Sequence, residues 1–133
     1  KNLYFIDSSG LLAVFDPLDF KILWEVNLKS PIIDYLFSED GNILILTIDE
    51  IYIFDPKGSL LSYFPHQIEK PLNVFIEKNN LSIVNNKGIY IFDYYNGTKI
   101  NFLENKFINS VNLFFDRSSI YLKDEKNLFI LSE

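Results

Sequence analysis

Three aspartates and their spacing are the first sign of possible chemistry in this 133-residue chain. Asp16, Asp55 and Asp93 recur at intervals of 39 and 38 residues, each directly after a run of apolar residues. Three carboxylates gathered around one axis would suit a hard cation, which prefers several oxygen ligands. Aspartate at a strand end, however, commonly accepts hydrogen bonds from turn N–H groups. Because Asp-Pro pairs at 16–17 and 55–56 favour turn initiation, the sequence favours the turn role and predicts no metal site.

The single histidine, His66, is the other side chain with possible chemistry. Nucleophilic catalysis would need a serine and an acid beside it, and the chain has no Gly-x-Ser-x-Gly motif. One imidazole is also too few for a zinc site. Since His66 lies between Pro65 and Pro71, we expect it to be a solvated loop residue. The sequence therefore predicts no catalytic residue.

The elements that must position these residues are strands that return with a fixed period. A short apolar segment begins at Leu12, Ile51 and Ile89 and, with a weaker match, at Leu128; the spacings are 39, 38 and 39 residues. A period near forty residues built from strands is typical of the blades of a β-propeller. Each blade is a meander of four strands joined by short turns rich in Gly, Pro, Asn and Asp. The sequence therefore predicts an all-β fold of β-propeller-type, four-stranded antiparallel blades.

The repeat divides the chain, as a single β-propeller segment 1–133, into four blade-like units at 1–30, 31–65, 71–104 and 108–133. Each of the two central units contains four predicted strands, and each end unit contains three. The propeller is therefore expected to be incomplete or open at both ends. Ile51–Asp55 is apolar at nearly every position, which predicts a middle strand covered on both faces. His66–Lys70 is predicted to be a loop.

Composition excludes several classes of partner. The formal net charge is −6 with a single Arg, whereas nucleic-acid binders concentrate Lys and Arg, so no nucleic acid is expected. No apolar run approaches the roughly 18 residues of a membrane-spanning helix, so no membrane span is expected. The absence of Cys excludes disulfides and thiolate chemistry.

The first unit has a recognisable order of residues: a strand, a turn at Gly10, a strand ending at Asp16, then Lys21 and a strand containing Trp24. This order resembles a quinoprotein-type (PQQ-like) propeller repeat. The second and third units keep the Asp and the Gly, but have Tyr63 and Phe102 in the neighbourhood of the Trp, and the fourth unit is degenerate. In that family the repeated Trp docks successive blades, which implies that Trp24 does so once.

The resemblance implies one of two broad functions. Some members of the family are dehydrogenases that hold a quinone cofactor at the axis, and others are binding scaffolds. A dehydrogenase would imply a cofactor floor of Trp and, in many members, vicinal cysteines. This chain has one Trp and no Cys, so no cofactor is expected.

The sequence therefore predicts a non-enzymatic β-propeller scaffold that mediates protein–protein interaction or assembly. The expected partner is another protein, or a second copy of the chain that completes the propeller. We expect binding residues in the longest connection, Phe64–Leu72, with Phe64, His66 and Gln67 as candidates. The alternative function is a segment of a quinoprotein-like or other propeller enzyme whose catalytic residues lie on other blades or chains.

Overall fold

The chain folds into a series of short strands, which confirms the all-β prediction. The computed structural model describes residues 1–104 and, beyond them, the backbone of 112–115, 119–123 and 128–132. These described residues form no helix, so none that could cross a membrane. The fourteen strands are β1 (Leu3–Ile6), β2 (Leu11–Phe15), β3 (Ile22–Asn27), β4 (Ile32–Phe37), β5 (Ile43–Thr47), β6 (Glu50–Phe54), β7 (Leu60–Pro65), β8 (Asn73–Glu77), β9 (Asn80–Asn85), β10 (Gly88–Asp93), β11 (Lys99–Glu104), β12 (Asn112–Phe115), β13 (Ser119–Lys123) and β14 (Leu128–Ser132).

The strands pair into four antiparallel sheets. The first sheet is β1-β2-β3, the second β4-β5-β6-β7, the third β8-β9-β10-β11 and the fourth β12-β13-β14. Each sheet lies within one of the four sequence units, and within each sheet every strand pairs only with its neighbours in the chain. Residues 66–70 contain no helical turn, as predicted. This is the order of strands expected for propeller blades.

The second sheet is covered on both faces, as the apolar character of Ile51–Asp55 predicted. Side chains alternate between the two faces of a strand. On β5, Ile43 and Ile45 belong to an apolar cluster with residues of the first sheet, whereas Leu44 and Leu46 belong to a cluster with residues of the third. The second sheet is therefore the layer that joins its two neighbours.

Strand β6 shows the same division. Ile51 and Ile53 pack in the cluster with the third sheet, and Phe54 packs in the cluster with the first. The contact between the second and third sheets also includes a hydrogen bond. The Asp34 Oδ2 atom on β4 accepts it from the Val74 N–H on β8, at 2.9 Å. Apolar packing and this bond together align the second and third sheets.

Among the side chains that the structure describes, the first sheet packs against another sheet, the second, on one side only. Leu12 and Val14 of β2 are buried in the cluster with the second sheet, and Tyr4 packs against that cluster. The opposite side, which we call the upstream face, includes Leu3 and Phe5 of β1, Ala13 and Phe15 of β2 and, opposite Ala13 on β3, the exposed Glu25. Leu3 and Phe5 are exposed there.

Candidate functional site

The three repeated aspartates close their own turns, as predicted. The Asp16 Oδ1 atom accepts a hydrogen bond of 2.8 Å from the Leu18 N–H. Asp55 Oδ1 accepts bonds of 2.9 Å from the N–H groups at 57 and 59, and Asp93 Oδ1 accepts bonds of 2.9 and 3.0 Å from those at 95 and 96. The aspartates therefore recur because each one stabilises an equivalent turn.

A fourth aspartate, Asp7, plays the same part in the β1–β2 turn. Its Oδ1 atom accepts bonds from the Ser9 hydroxyl and from the N–H groups of residues 9, 10 and 11. The Ser9 hydroxyl and these turn N–H groups lower the pKa of Asp7, and the N–H of Ser59 chiefly lowers that of Asp55. Among the described residues no group of three or more acidic, His or Cys side chains could hold a metal ion.

His66 is buried, so the expectation of a solvated loop residue is wrong. Its Nδ1 atom accepts a hydrogen bond of 3.0 Å from the Ile68 N–H, and its Nε2 lies 3.1 Å from the Thr47 carbonyl oxygen. Since Nδ1 is the acceptor, Nε2 carries the proton and donates it to the Thr47 carbonyl. Burial lowers the pKa of His66, so the neutral ring is favoured. The imidazole thus ties the loop after β7 to the end of β5.

The other two candidate binding residues differ in their surroundings. Phe64 lies on β7, not in a loop, and is buried in the cluster between the second and third sheets. Gln67 is exposed and has a left-handed backbone, with φ of 56°. Of the three predicted candidates, only Gln67 offers its side chain to an external partner, and a binding role for the three residues stays a prediction.

A carboxylate between two tyrosines was not predicted. Glu50, at the start of β6, accepts hydrogen bonds from the hydroxyl groups of Tyr52 and Tyr63, the second at 3.0 Å. Burial and the Glu50 carboxylate raise the pKa of Tyr52, and the hydrogen bond to Glu50 raises that of Tyr63. Tyr52 and Tyr63 stand directly opposite each other on neighbouring strands. Opposed side chains of this kind interact, but the sequence reveals this pair only once the pairing of the strands is known. This cluster fixes the outer edge of the second sheet.

Trp24 docks the first sheet on the second, as the family resemblance implied. Its Nε1–H donates a hydrogen bond of 3.0 Å to the Pro56 carbonyl oxygen. Its ring lies so close to Gly58 that a Cβ added there would stand 2.7 Å from ring atoms. Only glycine allows this approach. The contact also places the β2–β3 and β6–β7 turns at the same edge of the molecule.

The equivalent contact between the second and third sheets uses Phe64. A Cβ added to Gly97 would stand 2.5 Å from atoms of the Phe64 ring. Tyr63, the residue that the sequence placed in the neighbourhood of the Trp, is exposed and points its hydroxyl at Glu50 instead. An aromatic ring on a turn glycine therefore occurs at both junctions within residues 1–104, with different aromatic residues.

The first sheet departs from this pattern at Phe20. In each of the three equivalent turns the N–H of the aspartate bonds to a carbonyl oxygen that ends the turn. The residue just before that carbonyl has a positive φ: 56° at Phe20, 90° at Gly58 and 70° at Gly97. A non-glycine residue in this conformation costs roughly 1–2 kcal/mol. Such strained positions cluster at functional sites, so Phe20 is a candidate for function.

Large apolar side chains project from these turns. Leu18 is 92% exposed, Phe20 69% and Tyr95 68%. Leu18 and Phe20 belong to the β2–β3 turn and Tyr95 to the equivalent β10–β11 turn, so we call the three residues the apolar rim. Exposed apolar groups of this kind mark interaction sites when they lie together. In the sequence, the sign of this rim was an apolar residue inside a turn. The regular repeat of the strands obscured it.

Comparison with solved structures identifies the architecture. BamB from Moraxella catarrhalis superimposes with a TM-score of 0.73 at 14% identity, over 99% of this chain and 42% of that chain. The computationally designed Ika4 protein superimposes equally well, at 14% identity over 98% of this chain and 84% of that one. Hsv2 from Kluyvelomyces marxianus gives a TM-score of 0.55 at 15% identity, over 77% and 33%.

These likenesses establish the fold and nothing finer. The present chain spans less than half the length of the BamB chain. No protein-family model matches the sequence, and comparison with curated proteins gives no match. BamB and the designed protein are both propellers, so the antiparallel sheets of this chain are propeller-type, and the sheets that the structure describes are not closed into a ring.

Proposed function

We propose that this chain is a non-enzymatic β-propeller scaffold that mediates protein–protein interaction or assembly. The observation that supports this function is the apolar rim, whose three large side chains lie in equivalent turns of two blades and are at least two-thirds exposed. Propeller blades are rigid supports on which turns carry the contacts to partners. The rim presents such contacts on two separate blades.

The use of the acidic residues supports the same proposal. Asp7, Asp16, Asp55 and Asp93 are engaged by the N–H groups of their own turns, so the Oδ1 atom of each carboxylate holds its turn in shape. Carboxylates used in this way position the neighbouring Leu18, Phe20 and Tyr95 instead of reacting. A rigid turn reduces the loss of conformational entropy on binding.

We further assign the repeat to the quinoprotein-like type. The support is the docking of Trp24 on Gly58 and its hydrogen bond to the Pro56 carbonyl, which is the role that the family resemblance gives to its Trp. A partner that binds the rim would thus contact turns held by an interlocked pair of blades.

The proposal is tested by capture of binding proteins from an extract of the source cells on the immobilised chain. We expect one or more proteins to be retained, and a Leu18→Ser, Phe20→Ser variant to retain them at a small fraction of the original level. The matched control is Ile48→Ser, Leu72→Ser, which removes two exposed apolar residues from the opposite edge of the sheets. Equal retention by the rim and control variants, or no specific retention at all, would contradict the proposal.

A further inference from the structure

The upstream face of the first sheet corresponds, position by position, to two faces that are buried inside the molecule. The pairing registers define the correspondence: Leu3 pairs with Phe15, Ile43 with Phe54, and Leu81 with Phe92. The next pairs on the same sides are Phe5 with Ala13, Ile45 with Tyr52, and Ile83 with Tyr90. All of these positions carry apolar or aromatic residues in each sheet.

Burial separates the first sheet from the other two. Ile45 is completely buried and Ile83 is too, whereas their equivalent Phe5 is 52% exposed. Ile43 and Leu81 are buried, and their equivalent Leu3 is exposed, whereas on the middle strand of the upstream face Ala13 is buried and Phe15 is half-buried. A flat apolar sheet face of this kind is normally covered by another element. The upstream face therefore has the composition of a blade interface without its neighbour.

At the two junctions among the first three sheets, the covering element is the same side of the preceding sheet. Leu12 and Val14 of the first sheet pack in the cluster that buries Ile45. Ile51 and Ile53 of the second sheet pack in the cluster that buries Ile83. The upstream face accordingly fits a sheet that offers aliphatic residues at these repeat positions.

The chain's own last unit has such residues in its sequence. One period after Ile89 and Ile91, which are equivalent to Leu12 and Val14, come Leu128 and Ile130. These two positions lie on strand β14 of the fourth sheet. The repeat therefore places, at the other end of the same chain, the pattern that the upstream face requires.

We propose that the upstream face binds the fourth sheet of a second copy of this chain, head to tail. Two copies joined in this way make the contact twice, and a twofold axis relates the two contacts. The closed ring would contain eight sheets, within the usual size range of propellers. The inference rests on the proposed scaffold function, for which it names one partner and one surface.

One detail sets this contact apart from the internal junctions. At each of the two junctions that the described side chains form, an aromatic ring lies on a turn glycine, Gly58 or Gly97. The first sheet has Phe20 at that place, so the contact between copies does not use this aromatic–glycine docking. We expect it to be weaker than the internal junctions and therefore dependent on concentration.

The first test is the solution mass of the chain over a concentration series, by light scattering or sedimentation. We expect a monomer–dimer equilibrium, and a Phe5→Glu variant whose dissociation constant is raised about tenfold or more, because a charge would be buried against apolar residues. Leu61→Glu is the matched control, since Leu61 is 54% exposed on the outer strand β7. We expect its association to be unchanged.

The second test reports the direction of the contact. The chain contains no cysteine, so a mixture of Phe5→Cys and Leu128→Cys chains can cross-link only through the introduced thiols. We expect the mixed disulfide between the two variants to form in preference to either symmetric one. A monomer at every concentration, equal effects of Phe5→Glu and Leu61→Glu, or mainly symmetric cross-links would each overturn the proposal.

The two proposals fail separately. Unfolding curves of each variant show whether a loss of association comes from a loss of fold. The Leu18→Ser, Phe20→Ser variant should keep its self-association, and the Phe5→Glu variant should keep its capture of other proteins. Loss of both properties in both variants would contradict the assignment of two distinct surfaces.

Discussion

The first and second sheets carry the same alternation of apolar residues, yet only the second is covered on both sides. Ile45 and Phe54 of the second sheet are buried, and their equivalents Phe5 and Phe15 in the first are exposed or half-exposed. The pattern along a strand determines which residues share a face. Whether a face has a neighbour depends on the other sheets that are present.

The turns of the two sheets differ in a related way. The β6–β7 turn has Gly58 beneath the ring of Trp24, whereas the β2–β3 turn has Phe20 at the equivalent place. The first turn combines a strained backbone with an exposed aromatic ring. Within residues 1–104 of the single chain, the second sheet is packed on both sides and the first on one side.

The largest expected effect comes from truncating equivalent side chains in the two sheets. Phe54→Ala should lower the free energy of unfolding by about 3–5 kcal/mol, because it removes a buried aromatic ring. Phe5→Ala should change it by roughly 0.5 kcal/mol or less, because Phe5 is half-exposed in the single chain. Denaturant unfolding at a concentration where the chain is monomeric measures both. Similar losses in the two variants would show that the two faces are buried alike.

The junction between the two sheets is tested at Gly58. Gly58→Ala should cost about 2–4 kcal/mol, because the new Cβ would stand 2.7 Å from the Trp24 ring and the backbone has a φ of 90°. Gly41→Ala is the control, since its φ is 81° but its Cβ would meet only Pro56, at 3.6 Å. In a Trp24→Ala background the cost of Gly58→Ala should fall towards that of the control. An unchanged cost would mean that the ring does not set the requirement for glycine.

The loop that follows β7, which His66 ties to the end of β5, should make stability depend on pH. Because the folded pKa of His66 lies below the unfolded value of about 6.5, the unfolded chain takes up the proton first as the pH falls. Stability is therefore complete above about pH 6.5 and decreases below it, by at most about 1.4 kcal/mol per pH unit, until the folded pKa is reached. Unfolding curves between pH 7.5 and roughly pH 5 measure this effect. A His66→Gln variant with the same pH dependence would exclude His66 as its source.

The smallest expected effect is a gain in stability in the first sheet. Phe20→Gly should raise the free energy of unfolding by about 0.5–1 kcal/mol, since glycine removes the left-handed strain but adds freedom to the unfolded chain. The shift in thermal midpoint measures it. A loss of stability instead would show that the Phe20 ring makes contacts that outweigh the strain.

The strands and their faces were largely predictable from the repeat. The segment Ile51–Asp55 predicted both the location of β6 and its burial on two sides, because it is apolar at nearly every position. The Asp-Pro pairs predicted the turn role of Asp16 and Asp55, since both the acceptor and its donors lie within four residues in the chain. Local interactions of this kind can be inferred from sequence alone.

Contacts between distant residues were not predictable. Two prolines indicate a loop around His66, but the partner that buries the ring is the Thr47 carbonyl, 19 residues earlier. The repeat places Tyr63 near the position of Trp24, but in the strand pairing it is Ser62 that stands opposite Ile53 as Trp24 stands opposite Val14. Phe64, two residues further along β7 on the same side, is the residue that meets Gly97, and this register cannot be inferred before the strands are paired.

The pairing of every strand with its chain neighbour has a consequence for how the molecule forms. Within each sheet the connections between strands are two to six residues long, so each pairing closes a small loop at low entropic cost. Low contact order of this kind favours fast folding, and each hairpin can form before its sheet meets the next one. Stability then accumulates as a sum of sheet terms and junction terms between nearest neighbours. A substitution in the first sheet is therefore expected to affect the third only through the sheet between them.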